Sequence, residues 1–275
     1  MPLVRAALVV LALLTLESRP STAAVSGAPE DTTMHARLDT LRLRDPDTGD
    51  SLVVAVWLPP QYRADRPLPA VYAFPTGVYF DRLRLPATLD SAMRAGLPPA
   101  VVVALPDPEL EAYLLGSAAS RTFLRQVAEV VVPAVEARYA VRRERAGRRF
   151  LGFSAGANLL LELAMREPAL VARVAAQSPG WMLRDSTNAI GERMTPAALA
   201  AARTLPRGGA PRFWFVWGDG AEPWESASRE NGRAVMAALR ERGAPVTYAG
   251  TVPGGHGLPL GVRSMEAALR FLLAE

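Results

Sequence analysis

Apolar and polar positions along the chain fall into short runs with two periodicities, and these alternate. Two strand-like runs, Arg37–Arg44 and Ser51–Leu58, flank Asp45-Pro46-Asp47-Thr48-Gly49, whose turn chemistry predicts a hairpin. After them the pattern changes. Ala70–Phe74 reads as a buried strand and 89–96 as a short helix, and 100–105 is a continuous apolar strand of the parallel type. A long helix is predicted over 120–139 despite Pro133, then a strand at 149–153 and a helix at 155–166. Strands follow at 171–177, 212–217 and 246–250, and helices at 196–205, 229–242 and 262–273. An antiparallel entry followed by repeated strand–helix units implies one α/β domain with a doubly wound, mostly parallel sheet. No repeat, low-complexity tract or linker divides it.

Composition removes whole classes of chemistry. Half of the 275 residues are hydrophobic, enough for a sizeable core. Cys is absent, which excludes a thiol nucleophile, a disulfide framework and Cys-ligated metal. Lys is absent too, so all 31 basic side chains are Arg, and P-loop and Schiff-base chemistry fall away. The two His, His35 and His256, cannot supply a three-His zinc site. We expect no cofactor and no metal. Net charge is +4 and the Arg are dispersed, so nucleic acid is not an expected partner.

Residues 1–24 have the form of a secretory signal peptide. Arg5 supplies the charged start, an 11-residue apolar run follows, and Thr22 and Ala24 are the small residues before the cleavage point. Eleven residues rise only about 16 Å as a helix, roughly half the hydrocarbon thickness, so no stable membrane anchor is expected. The expected destination is secreted or periplasmic. Residues 25–34 read as a flexible leader and 35–275 as the folded domain.

Gly152-Phe153-Ser154-Ala155-Gly156 matches G-x-S-x-G, between a predicted strand and a predicted helix. Such a turn strains the Ser, lifts its hydroxyl above the strand ends and sets the Ala155 N–H at a helix start, placed to stabilise an oxyanion. A serine hydroxyl needs a base within reach. His256, in Pro253-Gly254-Gly255-His256-Gly257 after the last strand, is so placed, whereas His35 precedes the first strand and is assigned no role. The imidazole needs a carboxylate. Three acids follow the strand at 212–217 within eight residues. Glu222 is the first choice and Asp219 the second, because Asp219 is close to the strand end. Glu225 comes third, as part of the next helix start.

The order Ser154, acid, His256 is that of α/β-hydrolases. Further stretches resemble the esterase D and enterochelin-esterase-like group: Trp57-Leu58-Pro59-Pro60-Gln61-Tyr62, the stretch 97–103, the segment 133–139, Arg166-Glu167-Pro168, Gln177-Ser178-Pro179 and Gly254-Gly255-His256. The resemblance covers about residues 35–275 and implies an α/β-hydrolase fold without a large cap domain, with Ser154 as nucleophile and His256 as base. It also implies a second oxyanion N–H after the third strand. There the group commonly has Leu-Asp-Gly and this chain has Phe74-Pro75-Thr76-Gly77-Val78, which makes Gly77 and Val78 the candidates.

The expected function is an exported serine hydrolase that cleaves small-molecule carboxylic esters through an acyl-enzyme. An acyltransferase on the same fold and a non-catalytic exported binding protein are the alternatives. Trp181, Trp224 and Arg121 are candidate substrate-binding residues, and 106–119 and 182–194 candidate lids.

Overall fold

The computed structural model describes residues 36–180 and 189–274. Eight strands form one sheet: β1 (Arg37–Arg44), β2 (Ser51–Leu58), β3 (Ala70–Phe74), β4 (Val101–Ala104), β5 (Arg148–Phe153), β6 (Arg173–Gln177), β7 (Arg212–Gly218) and β8 (Val246–Val252). Their spatial order is β1-β2-β4-β3-β5-β6-β7-β8. β2 runs antiparallel to both β1 and β4, and every later pairing is parallel. This is the doubly wound α/β-hydrolase topology with an antiparallel entry.

The hairpin forms at the expected place. Asp45 and Gly49 close the turn through backbone hydrogen bonds, and Gly49 takes φ +78°, a region open to glycine without a Cβ clash. The Asp45 side chain is fully buried and accepts hydrogen bonds from the Asp47 N–H, Thr48, Arg125 and Gln126, so the hairpin is tied to a helix.

Side chains alternate between two faces, and in the central strands β3 to β7 both are buried. Tyr72, Phe74, Val103, Phe150, Phe213, Phe215 and Trp217 point into one core. Val71, Ala73, Val102, Leu151, Trp214 and Val216 point into the other. Helices α1 (Leu85–Arg94) and α7 (Leu258–Leu273) pack on the second face. The first face is covered by α2 (Ala118–Arg125), α3 (Val132–Arg138), α4 (Ser154–Arg166), α5 (Ala189–Thr204) and α6 (Pro223–Glu241).

The long helix predicted over 120–139 is divided by a π-helical turn, Gln126–Val131, in which the Val132 N–H bonds the Val127 carbonyl. Pro133 has no N–H to give to an interior helix, and the widened turn puts it at the start of α3, where none is required. α1, α6 and α7 each begin earlier than the periodicity predicts.

Candidate active site

β5 passes into α4 with no intervening residue, and Ser154 stands at the junction with φ +54°. That left-handed backbone is rare outside glycine and lifts the side chain out of the strand direction. Both glycines of the pentapeptide are required by contact. A Cβ on Gly152 would lie 2.5 Å from the Ala157 Cα, and one on Gly156 would lie 2.7 Å from Pro75 Cδ and 2.8 Å from a Phe74 ring carbon. α4 therefore sits hard against the segment that follows β3.

His256 Nε2 lies 2.7 Å from Ser154 Oγ, across 102 positions of sequence. Its loop follows β8 and is held from beneath. The Gly254 N–H donates to Asp219 Oδ1 at 2.8 Å, and the Gly220 N–H to the Gly254 carbonyl at 2.9 Å. The imidazole is mostly covered and faces the Phe153 ring at 5.2 Å between centroids.

The carboxylate behind the imidazole is Glu225, not Glu222. Glu225 Oε2 is 3.3 Å from His256 Nδ1, and the side chain is fully buried. The reason is the helix start: Glu222 is the N-cap of α6 and Pro223 is in its first turn, so Glu225 is carried inward at the end of β7. The Gly218 N–H donates to Glu225 Oε1 at 2.7 Å. Burial alone would raise the pKa of Glu225. Hydrogen bonds from His256, the Gly218 N–H and Ser178, with the attraction of the imidazole, outweigh burial and hold it below its ordinary value. Glu222 is exposed and its carboxylate lies over Gly255, where a Cβ would come within 2.0 Å of it. Asp219 serves the loop backbone. All three acids thus gather around the His256 loop, and one meets the ring.

Ser178 sits directly after β6 with φ +44° and is buried. Its Oγ is 2.8 Å from His256 Nδ1 and 2.9 Å from each oxygen of Glu225. The sequence places it in the Gln177-Ser178-Pro179 stretch without assigning it a task. Gly180 is a second residue that pattern reading misses. A Cβ there would lie 3.5 Å from Ser154 Oγ and 3.6 Å from the Ala155 nitrogen, so the glycine leaves free space beside both.

Gly77 opens a π-helical turn, Gly77–Arg82, in which Val78 is buried. Early N–H groups of a helical turn have no acceptor within it, which leaves such donors available at its start. The segment is anchored from two sides: Thr76 Oγ1 donates to the Leu105 carbonyl, and Tyr79 OH donates to Gln177 Oε1 at 2.7 Å. Gln177 Nε2 in turn donates to Ser264 Oγ at 2.7 Å on α7. One buried chain of polar groups thus connects the turn after β3 to the helix that follows the His256 loop.

Arg121 is exposed and its guanidinium donates to the Gly116 carbonyl at 2.6 Å. Trp224 lies in the first turn of α6. Trp181, His35, the segment 1–24 and the leader 25–34 lie outside the described residues, as does 182–188 of the candidate lid 182–194. The other candidate lid, 106–119, carries a short 3-10 helix, Leu110–Tyr113.

Solved structures share this architecture. The chain is similar to a ferulic acid esterase (17% identity, 87% of this chain and 98% of the other, TM-score 0.68). It is similar to an S-formylglutathione hydrolase from Staphylococcus aureus (14% identity, 87% and 99%, TM-score 0.65). It is also similar to the ferric enterobactin esterase from Salmonella typhimurium (17% identity, TM-score 0.68), with 89% of this chain covering 59% of that one. At these identities the likeness is one of fold. No curated protein matches the sequence. A family model described as "Putative esterase" matches residues 46–246. Since that match takes in β2 to β7, the Ser154 junction and Glu225, the chain belongs to this esterase family and has its α/β-hydrolase fold.

Proposed function

We propose that the protein is an exported serine hydrolase acting on small-molecule carboxylic esters through an acyl-enzyme, with Ser154, His256 and Glu225 as its triad. The 2.7 Å contact between His256 Nε2 and Ser154 Oγ carries this reading. Ser154 Oγ attacks the ester carbonyl carbon while its proton passes to Nε2. The oxyanion that forms is held by the Ala155 N–H at the start of α4 and by an N–H of Gly77 or Val78. When the intermediate collapses, the C–O bond to the leaving group breaks and the alkoxide takes the proton from Nε2. Water then gives a proton to Nε2 and attacks the acyl carbon. Expulsion of Ser154 Oγ, which recovers that proton, releases the acid. Glu225, the buried anion behind the ring, stabilises the imidazolium that forms.

Residues 1–24 act in this reading as the export signal and 25–34 as a leader to one catalytic domain. The test is labelling of the folded protein with a fluorophosphonate, alongside hydrolysis of a panel of p-nitrophenyl and aromatic esters. Wild type labels and hydrolyses, and Ser154→Ala does neither. Labelling that persists in Ser154→Ala, or a folded wild type inert toward both, would overturn the proposal.

A further inference from the structure

The hydroxyl of Ser178 occupies an unusual place. Nε2 must present a lone pair to the Ser154 proton, so in the neutral ring the hydrogen is on Nδ1. Among the described residues, two acceptors stand near that hydrogen. Ser178 Oγ is at 2.8 Å and Glu225 Oε2 at 3.3 Å, so the hydroxyl, not the carboxylate, is the nearer one. A hydroxyl has one hydrogen to give and lone pairs to accept. Ser178 can therefore accept from Nδ1–H and donate its own hydrogen to Glu225, whose two oxygens are each 2.9 Å away. The backbone holds it there at some expense. Ser178 takes φ +44°, a conformation disfavoured outside glycine, while its N–H stays bonded to the Val216 carbonyl on β7 at 2.8 Å. Strain of this kind persists only where the surroundings fix it, and here they aim the side chain at the ring.

We infer that Ser178 is a positioning residue for His256, its hydroxyl bridging Nδ1–H to Glu225 so that ring orientation and carboxylate charge are coupled through it. This inference rests on the triad reading above. No proton is transferred along the bridge; Nδ1 keeps its hydrogen, and the positive charge that develops on the ring is met by an oriented hydroxyl backed by an anion. Without the hydroxyl, Nδ1–H is left with the longer and weaker contact, the ring gains freedom, and the acylation step slows while ground-state binding is untouched.

The test uses the full-length protein in two forms, Ser178→Ala and Ser178→Gly. The second also removes the reason for strain at φ +44°, which guards against a folding defect. Each is measured alone and combined with Glu225→Gln. Because the chain has two His, a ¹⁵N-histidine spectrum of the His35→Gln protein reports His256 alone. We expect kcat to fall about tenfold or more, as for loss of a hydrogen bond to a charged partner, with KM within a factor of two. The Nδ1–H resonance is displaced, and the Ser178 substitutions cost little further once Glu225 is Gln, since both act on one ring. A wild-type kcat and unmoved resonance would overturn the inference, as would losses that multiply independently in the double variants. Loss of the fold in both single variants would assign the hydroxyl to folding and overturn it as well. If Ser154→Ala retains full turnover, the triad reading itself fails, an outcome separate from all of these.

Discussion

Among the three acids around the His256 loop, distance to the ring separates the roles. Glu225→Gln keeps the shape but removes the charge that supports an imidazolium, and kcat should fall by about 10³- to 10⁴-fold with KM little altered. Glu222→Gln should leave kcat within about a factor of three, as befits an exposed side chain. Asp219→Asn weakens the hold on Gly254 and should cost about tenfold through a looser loop. Steady-state kinetics on one ester series distinguishes the three. The meeting of Ser154 with His256 was legible in the sequence because each lies in a glycine-flanked motif at the carboxyl end of a readable strand. Glu225 was harder, since choosing it depends on where a helix begins. Ser178 was visible only within the Gln177-Ser178-Pro179 stretch, with no role to read, and Gly180 not at all: the first matters through a hydroxyl aimed at the ring, the second through a side chain it lacks.

Helix starts are the systematic gap between pattern and fold. α1, α6 and α7 begin at 85, 223 and 258, against expected starts of 89, 229 and 262, and each carries a proline in its first turn. A proline reads as a breaker when only periodicity is considered, although the first turn is where its missing N–H costs nothing. In α6 the lost turn is the one that holds Glu225. Strands fared better, because burial on both faces makes each central strand a short continuous apolar run bounded by turn residues. The β5–α4 junction is a tight meeting of elements in the site. Gly152→Ala would drive a methyl onto the Ala157 Cα, so unfolding in urea should show a loss of about 2 kcal/mol or more, with activity falling as Ser154 shifts. The polar chain from Tyr79 through Gln177 to Ser264 keeps the turn after β3 and α7 in fixed relation.

For the molecule as a whole, two buried carboxylates link stability to pH. Arg125 above all, against the opposing effect of burial, and with help from Gln126, the Asp47 N–H and Thr48, holds the Asp45 carboxyl far below its ordinary value. Glu225 is also lowered, where hydrogen bonds overcome burial. A carboxyl depressed in the folded state contributes its stability above the unfolded value, near 4. It loses that contribution as pH falls through the folded value. Stability to urea should therefore decline from pH 5 downward. Asp45→Asn should lower stability at pH 7 and flatten the decline, since Asn has no proton to gain. A variant whose curve parallels wild type from pH 7 to 3 would show that the hairpin anchor is not a source of acid sensitivity.

The base of the proposed triad is delivered by β8, the last strand of the sheet, which is bonded along one side and half covered by side-chain packing. Peripheral segments of this kind are the first to fray when a protein is stressed. Turnover would then be extinguished by a local detachment that leaves the interior intact. Under rising urea, catalysis should vanish ahead of the fluorescence change from Trp214 and Trp217, which lie buried on the neighbouring strand, and come back instantly on dilution. Such an enzyme would fall silent reversibly, well short of the point at which the rest of it comes apart.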